Sequence, residues 1–500
     1  MLTLAKTLEL HARIRPSADA LIYGDVRLTW AMLWDRVTRT AAALAAEGIG
    51  EGSIIALAMK NSSTFIELLY AISHLGAISL PMNFRLSADE LEYICSHAGA
   101  DLVLADEDFR DKLGGILAPV RILDRQAQSD STRIFGKAGR RFETAHRAED
   151  DVFRLMYTSG TTDRPKGVVQ SYANFHWKCY DHAIVLGLST ADRLLIVGPL
   201  YHVGACDLPG LGAHAFGAAL IILREFSSEL VLRTIETERI TGIWLAPVMS
   251  ASLLSEPHSS DTSTLRWCIG GGERTPEHRI RLFTETFVNA RYVDCYGMTE
   301  TLSGDTFMEP GRELEKLGSV GRPVPHLEIR IRDDDGADLS PGVHGEICMR
   351  GPKVTSGYWK DHAKTASAFF DDGFFRSGDF GYCDEDGFLY LTDRKKDMII
   401  SGGENIASSE VERVLYGLDG ILEVAVVGRE DDKWGEVPVA VVVLRPGAEL
   451  TMAMIDSHCR KSLAGFKCPK ALLILDNLPR NPSGKILKRV LREQVASLQS

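Results

Sequence analysis

The sequence lacks the features that mark several large classes of protein. No apolar run approaches the roughly 18–20 residues that a membrane-spanning helix needs, so we expect no integral membrane segment. The nine cysteines include no Cys-x-x-Cys pair, which disfavours a common zinc site and favours reduced thiols. With 56 basic against 68 acidic residues the net charge is −12, which argues against broad binding to nucleic acid.

What remains is a composition typical of globular proteins. The 500 residues are 45% hydrophobic and 25% charged, and a chain of this length is expected to form two to four domains. Near the N-terminus, Glu9, His11 and Arg13 interrupt any apolar signal core, and the C-terminal residues match no common targeting address. We therefore expect a cytoplasmic location.

Short apolar runs alternate with helical patterns over the first three hundred residues. A helix over 229–238 is preceded by Ser227 and Ser228, which are favourable capping residues. Short apolar strands that alternate with helices predict α/β layers with mostly buried parallel strands. The predicted strands include 102–104, 194–197, 220–223, 243–245 and 267–269.

The pattern changes twice towards the C-terminus. From about Ser319 the alternation in 327–331, a turn over 333–336 and the run 345–349 predict antiparallel hairpins. After Asp393 the chain is highly charged and then returns to α/β patterns, with a helix over 410–418 and strands over 424–427 and 437–444. We therefore predict two domains, 1–394 and 395–500.

The strongest chemical motif spans residues 157–168, where four serine and threonine side chains and two glycines accompany a lysine. Hydroxyls and exposed backbone N–H groups suit a polyphosphate, and Lys166 adds a positive charge. The order is not that of the Gly-x-x-x-x-Gly-Lys-Ser/Thr loop. A generic stretch of this composition would more often be a polar surface loop, but the ordered string favours a phosphate site.

This string closely resembles the phosphate-binding loop of the adenylate-forming superfamily, which includes acyl-CoA synthetases, peptide-synthetase adenylation domains and firefly luciferase. It departs only at Asp163, where glycine is common. Further segments expected from the resemblance follow in the same order, at 270–274, 296–300, 375–379, 393–405 and 480–486. The resemblance implies an α/β fold: a large N-terminal domain of layered α/β sheets with a β-barrel-like subdomain, and a small mobile α+β C-terminal domain. ATP, Mg²⁺ and coenzyme A are the implied cofactors and co-substrates.

The resemblance also assigns roles to residues of the large domain. Tyr296 would stack on adenine, Thr299 would contact the α-phosphate, and Glu300 would bind Mg²⁺. Asp379 would accept hydrogen bonds from the ribose hydroxyls. The residues implied to hold the phosphates are Thr158, Ser159, Gly160, Thr161, Thr162 and Lys166, and those implied around the nucleotide are Gly271, Gly272, Glu273, Asp294 and Gly297.

In the C-terminal part of the chain, the resemblance implies moving parts. Arg394 would be a second ribose contact and Lys396 the hinge about which the small domain turns. Gly402 and Gly403 would line the path of the thiol. Lys485 resembles the catalytic lysine of adenylation, brought to the nucleotide and removed again by domain rotation.

The acyl pocket is expected around the loop 199–205, where His202 matches a position near the substrate carboxylate. By analogy with the family, the pocket also involves Tyr201, Val203, Asp207, Trp244, Met298 and Leu302. These residues are mostly apolar, which fits an apolar acyl or aryl group. Asp207 is the exception: it either faces solvent or caps a helix, or it binds or deprotonates an amine substrate.

We therefore predict an acid–thiol ligase that makes acyl-AMP from ATP and an apolar monocarboxylic acid, a medium- or long-chain fatty acid or an aryl acid. The acyl group then passes to the thiol of coenzyme A. An alternative ligase would pass it to an amine or to a carrier-protein thiol, and a non-catalytic nucleotide sensor is a third possibility. The predicted partners are a small carboxylic acid, ATP and coenzyme A, with no nucleic acid and no integral membrane segment, and a homodimer is left open.

Overall fold

The computed structural model describes residues 3–123, 141–158, 164–257, 259–271, 275, 277–392, 399–401, 404–431, 434–480 and 486–496. Within these residues four β-sheets and their helices form a layered α/β structure, as predicted. The strands are β1 Asp19–Tyr23, β2 Val26–Thr29, β3 Ile54–Ala58, β4 Ile78–Pro81, β5 Leu102–Asp106, β6 Val120–Leu123, β7 Val152–Thr158, β8 Lys166–Ser171, β9 Arg193–Ile196, β10 Ala219–Ile222, β11 Gly242–Leu245, β12 Trp267–Gly271, β13 Arg291–Tyr296, β14 Thr306–Phe307, β15 Arg322–Pro323, β16 Glu328–Arg332, β17 Gly345–Arg350, β18 Phe375–Cys383, β19 Leu389–Leu391, β20 Ile399–Ser401, β21 Glu404–Ile406, β22 Ile421–Asp431, β23 Gly435–Leu444 and β24 Ala471–Ile474.

Helices cover the sheets and begin at capping side chains in most cases. The Ser227 hydroxyl accepts a hydrogen bond from the N–H of Leu230 at the start of one predicted helix, which confirms that cap. The helices are α1 Leu4–Ile14, α2 Trp30–Ala46, α3 Ser63–His74, α4 Ala88–Ala98, α5 Tyr172–Leu186, α6 Val203–Ala205, α7 Gly212–Ala215, α8 Ser228–Thr237, α9 Pro247–Ser255, α10 Glu277–Thr286, α11 His362–Ser367, α12 Ser408–Leu415, α13 Met452–Cys459 and α14 Lys488–Ala496.

Two mainly parallel sheets make up most of the structure. The first has the order β6-β5-β3-β4-β7-β8, with only β8 antiparallel to its neighbour. The second has the order β15-β14-β13-β12-β11-β9-β10-β1-β2, and its central strands are parallel. Strands such as β3, β5 and β10 are buried along their whole length, as expected for parallel strands covered on both faces.

Two smaller sheets follow along the chain. β16 to β19 form a four-stranded antiparallel sheet, which confirms the predicted hairpins. The last sheet has the order β21-β20-β23-β22, and β24 pairs in parallel with β23. Helices α12 and α14 contact β22 of this sheet, and together they form the predicted smaller α+β unit.

The largest core cluster joins the two big sheets through α1, α2, α3 and α5. The nine cysteines are all free thiols, and all but Cys383 are buried. Among the described residues, no helix combines the length and the apolar character needed to cross a membrane. Cytoplasmic location and a homodimer stay predictions.

Candidate active site

The predicted phosphate loop joins two adjacent antiparallel strands at the edge of the first sheet. Thr158 at the end of β7 pairs directly with Lys166 at the start of β8. The Thr158 hydroxyl is buried and has no hydrogen-bond partner among the described residues, so it can hydrogen-bond a ligand. The tip of the loop, with Ser159, Gly160, Thr161 and Thr162, lies outside the described residues.

Lys166 lies in direct contact with the predicted metal ligand Glu300. The Lys166 Nζ is 3.1 Å from Glu300 Oε1. A third residue, Tyr358, joins them: its hydroxyl accepts a hydrogen bond from Lys166 Nζ at 2.6 Å and donates one to Glu300 Oε1 at 3.0 Å. Burial and the nearby Glu300 carboxylate raise the pKa of the Tyr358 hydroxyl, so it is a neutral donor. The site thus presents one cation and one carboxylate side by side.

The predicted adenine and ribose residues also meet. Tyr296 ends β13 and is buried, and its hydroxyl donates a hydrogen bond to Asp379 Oδ2 at 3.0 Å. Burial and the neighbouring Asp379 raise the pKa of this tyrosine well above its ordinary value. Since Tyr296 and Glu300 are separated by one short turn, the ribose and metal residues belong to one continuous site.

Glu346 on β17 holds the segment that carries Asp379. Its carboxylate accepts hydrogen bonds from the Gly378 N–H at 3.1 Å and from the Arg376 guanidinium at 2.8 Å. Gly378 has φ +70°, a left-handed conformation that favours glycine. The Ser377 hydroxyl accepts from the Asp379 N–H at 3.0 Å. These contacts fix Asp379 opposite Tyr296.

Asp294 and Gly271, both predicted to lie around the nucleotide, are on the adjacent strands β13 and β12. Asp294 is buried on β13 and accepts a hydrogen bond from the Thr275 hydroxyl at 2.8 Å. Gly271 ends β12 opposite Cys295, and a Cβ at Gly271 would lie 2.9 Å from the Cys295 carbonyl oxygen. Gly272 and Glu273 lie outside the described residues.

Thr299 follows Gly297 and Met298 in a short turn, Thr299–Thr301. Its carbonyl oxygen accepts a hydrogen bond from the Gln170 side chain at 2.9 Å. Gln170 belongs to β8, so the strand that leaves the phosphate loop also positions the residue predicted to contact the α-phosphate.

The predicted acyl loop packs against Trp244. A Cβ at Gly198 or at Gly204 would lie 2.6 or 2.8 Å from atoms of the Trp244 ring, so both positions need glycine. The His202 ring stacks on Trp244 with ring centroids 6.4 Å apart, and its Nδ1 accepts from the Gly204 N–H at 3.0 Å. Burial, opposed by Asp207, lowers the pKa of His202, which favours the neutral ring with its proton on Nε2.

Tyr201 and Val203 flank His202 and are both buried. The Tyr201 hydroxyl has no hydrogen-bond partner among the described residues. Asn61, which follows β3, holds this loop by donating to the Gly198 carbonyl at 2.7 Å and accepting from the Leu200 N–H at 2.9 Å. The acyl loop is therefore anchored between the two large sheets.

Comparison with known proteins identifies the family. The model of the "AMP-binding enzyme" family matches residues 8–359, and that of the "AMP-binding enzyme C-terminal domain" matches residues 410–485. The chain belongs to the AMP-binding enzyme family. This result confirms the predicted superfamily and fold.

Individual relatives cover almost the whole chain. A feruloyl-CoA synthase of an Amycolatopsis species is 35% identical over 97% of each chain. A long-chain-fatty-acid–CoA ligase of Mycobacterium tuberculosis is 36% identical over 98% of this chain and 96% of the relative. The structure of o-succinylbenzoate coenzyme A synthetase from Bacillus subtilis, in complex with ATP and a magnesium ion, superposes with a TM-score of 0.88 at 33% identity over 98% of each chain. The prediction of an acid–thiol ligase of the acyl-CoA synthetase class is confirmed.

Within this AMP-binding enzyme, Asp207 is not where the sequence suggested. It does not face solvent: its side chain is fully buried and makes two hydrogen bonds to the buried Arg154 guanidinium, one of them 3.1 Å long. Lys178 donates to the Asp207 carbonyl oxygen. Because its carboxylate is already neutralised inside the core, Asp207 is not available to bind an amine in a pocket.

The remaining pocket residues divide in two. Leu302 is fully buried in the largest core cluster, with φ +58°, and packs as a core residue instead of lining an open surface. Met298 is half-buried and packs against the same cluster, next to the metal segment. Its place in the pocket stays a prediction.

The C-terminal predictions concern residues that the structure does not describe. Arg394, Lys396, Gly402, Gly403 and Lys485 all lie outside the described residues. The predicted domain boundary falls in the same stretch, so the division into 1–394 and 395–500 stays a prediction.

Sequence patterns did not single out Tyr358, Glu346 and Asn61. Each lies 32 or more residues from the residue that it positions. The one local signal was the string 357–359, Gly-Tyr-Trp, whose bulky aromatic residues directly follow a glycine.

Proposed function

We propose that this chain converts an apolar monocarboxylic acid, ATP and coenzyme A into the acyl-CoA thioester, AMP and pyrophosphate by way of bound acyl-AMP. One observation carries the proposal: the Lys166–Glu300 pair and the Tyr296–Asp379 pair form one site at the end of β13 and the start of β8. The relatives that are named for ferulate and for long-chain fatty acids support an aryl or alkyl acid.

In the first half-reaction a carboxylate oxygen of the acid attacks the α-phosphorus of ATP, and pyrophosphate leaves. No proton needs to move, so positioning and charge neutralisation supply the catalysis. Lys166 and the Thr158 hydroxyl would hold the leaving phosphates. Lys485 would bridge the carboxylate and the α-phosphate as negative charge shifts between them.

Glu300 fits the predicted magnesium ion. Both described contacts of its carboxylate, with Lys166 and with Tyr358, go to Oε1. A carboxylate oxygen suits Mg²⁺, which takes few protein ligands together with phosphate oxygens and water. Bound there, the ion would neutralise charge on the phosphates.

In the second half-reaction the sulfur of coenzyme A attacks the acyl carbonyl, the bond from the carbonyl carbon to the phosphate oxygen breaks, and AMP leaves. The thiol proton is released to solvent. We assign Lys396 as the hinge for a rotation that withdraws Lys485 and brings Gly402 and Gly403 to the acyl-AMP. One site would then serve both reactions through domain movement. Asp207, the residue considered for binding an amine, is paired with Arg154 in the core, which supports coenzyme A as the acceptor.

An ATP–pyrophosphate exchange assay tests the first half-reaction. Purified protein with MgATP and a panel of aryl and fatty acids should exchange labelled pyrophosphate into ATP, and thioester should form only after coenzyme A is added. Glu300→Gln should lower exchange by about 10²–10³-fold. The matched control is Glu229→Gln on the exposed face of α8, which should leave exchange unchanged.

Lys485 is tested in the same assay. Lys485→Ala should abolish exchange while MgATP still binds, and Lys461→Ala, at an exposed position of the same C-terminal region, should have no effect. If no acid supports exchange in the unmodified protein, the proposed function is wrong.

A further inference from the structure

Tyr358 lies at the centre of the nucleotide site, and none of the catalytic roles proposed above involves it. Its hydroxyl touches both Lys166 and Glu300, and Lys166 Nζ also lies 4.2 Å from the centre of its ring. Only 7% of its surface is exposed. A buried polar residue with this set of contacts links the phosphate loop to the metal ligand.

The backbone around Tyr358 is attached to the strand that leaves the phosphate loop. Tyr358 pairs with Val168 in an antiparallel bridge, and the Trp359 N–H donates to the Gly167 carbonyl at 2.8 Å. The Tyr358 N–H donates to the Thr365 hydroxyl at 2.9 Å. The ring is therefore held in place independently of its two charged partners.

The direction of the hydrogen bonds is fixed by chemistry. An ammonium group can only donate, so the Tyr358 oxygen accepts from Lys166 and its single hydrogen points to Glu300. Both Lys166 and Tyr358 therefore engage Oε1 of Glu300. Two contacts to the same oxygen hold the carboxylate in one orientation.

We propose that Tyr358 is a positioning residue for the magnesium–nucleotide: it holds Glu300 through Oε1, so that Oε2 is ready for the cation, and keeps Lys166 beside the phosphates. This inference rests on the proposed function of the site. It predicts that the Tyr358 hydroxyl contributes to MgATP binding only through Glu300 and Lys166.

The variant Tyr358→Phe removes the hydroxyl and keeps the ring. We expect the Kd for MgATP, measured by calorimetry without acid or coenzyme A, to rise by about ten-fold, the usual effect of losing a hydrogen bond to a charged group. The Mg²⁺ concentration for half-maximal pyrophosphate exchange should rise with it, while the half-saturating acid concentration stays within about two-fold.

The matched control is Tyr172→Phe. Tyr172 is also buried, and its hydroxyl hydrogen-bonds to Ser73 at 3.0 Å in the core, away from the nucleotide site. This control should change thermal stability but neither the Kd for MgATP nor the Mg²⁺ requirement. Equal shifts in both variants would show a general structural effect and overturn the inference.

A double-mutant cycle separates positioning from structure. In a Glu300→Gln background the added Tyr358→Phe change should weaken MgATP binding by clearly less than ten-fold, because the effect through the Glu300 carboxylate is already lost and only the contact with Lys166 remains. A ten-fold loss that persists in that background refutes the inference. If Tyr358→Phe is not folded by circular dichroism, Thr365→Val takes its place, since it removes the acceptor of the Tyr358 N–H and leaves Tyr358 itself unchanged. It also removes the hydrogen bond that the Thr365 hydroxyl donates to the Asp361 carbonyl. It should shift the Kd in the same direction by a smaller factor, and an unchanged Kd would again refute the inference.

The outcomes for the function and for this inference are distinct. Absence of exchange with every acid rejects the proposed function, while calorimetry still reports whether Tyr358 affects MgATP binding. Normal exchange together with an unchanged Kd and Mg²⁺ requirement in Tyr358→Phe rejects the role of Tyr358 alone.

Discussion

Replacing Asp207 by leucine should destabilise the protein far more than replacing Asp207 and Arg154 together. Both side chains are fully buried, and the guanidinium is also bonded through Nε to Gln170 at 2.6 Å. Burial disfavours the charge on Arg154, but Asp207 outweighs it and keeps the pKa of Arg154 raised. Asp207→Leu leaves that charge unpaired in the core, which costs about 3–5 kcal/mol.

The double variant Asp207→Leu/Arg154→Met removes both charges at similar volume. It should lower the free energy of unfolding by only about 1 kcal/mol, mainly because the side-chain oxygen of Gln170 loses its donor. The coupling energy between Asp207 and Arg154 is then at least about 2 kcal/mol. Unfolding in urea, followed by tryptophan fluorescence, measures each free energy of unfolding. The exposed pair Glu277–Arg281 is the control, and Glu277→Gln should have little effect.

Additive costs in this cycle would refute the reasoning, because they would mean that Arg154 and Asp207 are not a mutually neutralising pair. A loss below about 1 kcal/mol for Asp207→Leu alone would do so as well. Asp207 should also have no influence on the acyl acceptor. If Asp207→Asn is folded but changes the choice between coenzyme A and an amine, then Asp207 has a role in acceptor choice beyond its pairing with Arg154 in the core.

Three further outcomes are expected. Glu346→Gln should loosen the Asp379 segment and raise the KM for ATP several-fold with a smaller change in kcat, measured in steady-state assays. Trp244→Ala should open the acyl loop and shift kcat/KM towards bulkier acids in a substrate panel. Burial lowers the pKa of His214 to about 3, so below about pH 6.5 the unfolded chain takes up a proton that the folded protein does not. The free energy of unfolding, measured in urea, should therefore fall by about 2 kcal/mol between pH 7 and pH 5. In His214→Gln it should depend less on pH over that range.

Sequence patterns located most of the described elements because fully buried strands leave short apolar runs between turn residues. Their ends were less accurate: the helix predicted over 410–418 is Ser408–Leu415, since polar serines can occupy its first turn and its last predicted residues leave the helix. The strand predicted over 424–427 extends to Ile421–Asp431, where cross-strand pairing with β23 continues into polar residues.

The site was predictable to the extent that its residues belong to ordered motifs. Tyr358 could not be found in this way, because it is 58 residues from Glu300 and 192 from Lys166, and only the folded chain brings them together. Asp207 was misjudged for a related reason. An isolated acidic residue is normally exposed. The partner of Asp207 is Arg154, 53 residues earlier in the chain. The only sign of this pair in the sequence was a charged residue, Arg154, within the mostly apolar strand β7.

Two groups of polar contacts lie along β8, Lys166 with Glu300 at its start and Gln170 with Arg154 towards its end, and they differ in how they can respond to a ligand. At the start of the strand, Lys166 keeps 27% of its side chain exposed, so it can exchange Glu300 for phosphate oxygens at little cost. Towards its other end, Gln170 joins the fully buried Arg154 to the Thr299 carbonyl. Breaking those bonds would leave buried groups unpaired, which is expensive. Nucleotide binding should therefore rearrange the first group and leave the second fixed, so the position of Thr299 is set before the nucleotide arrives.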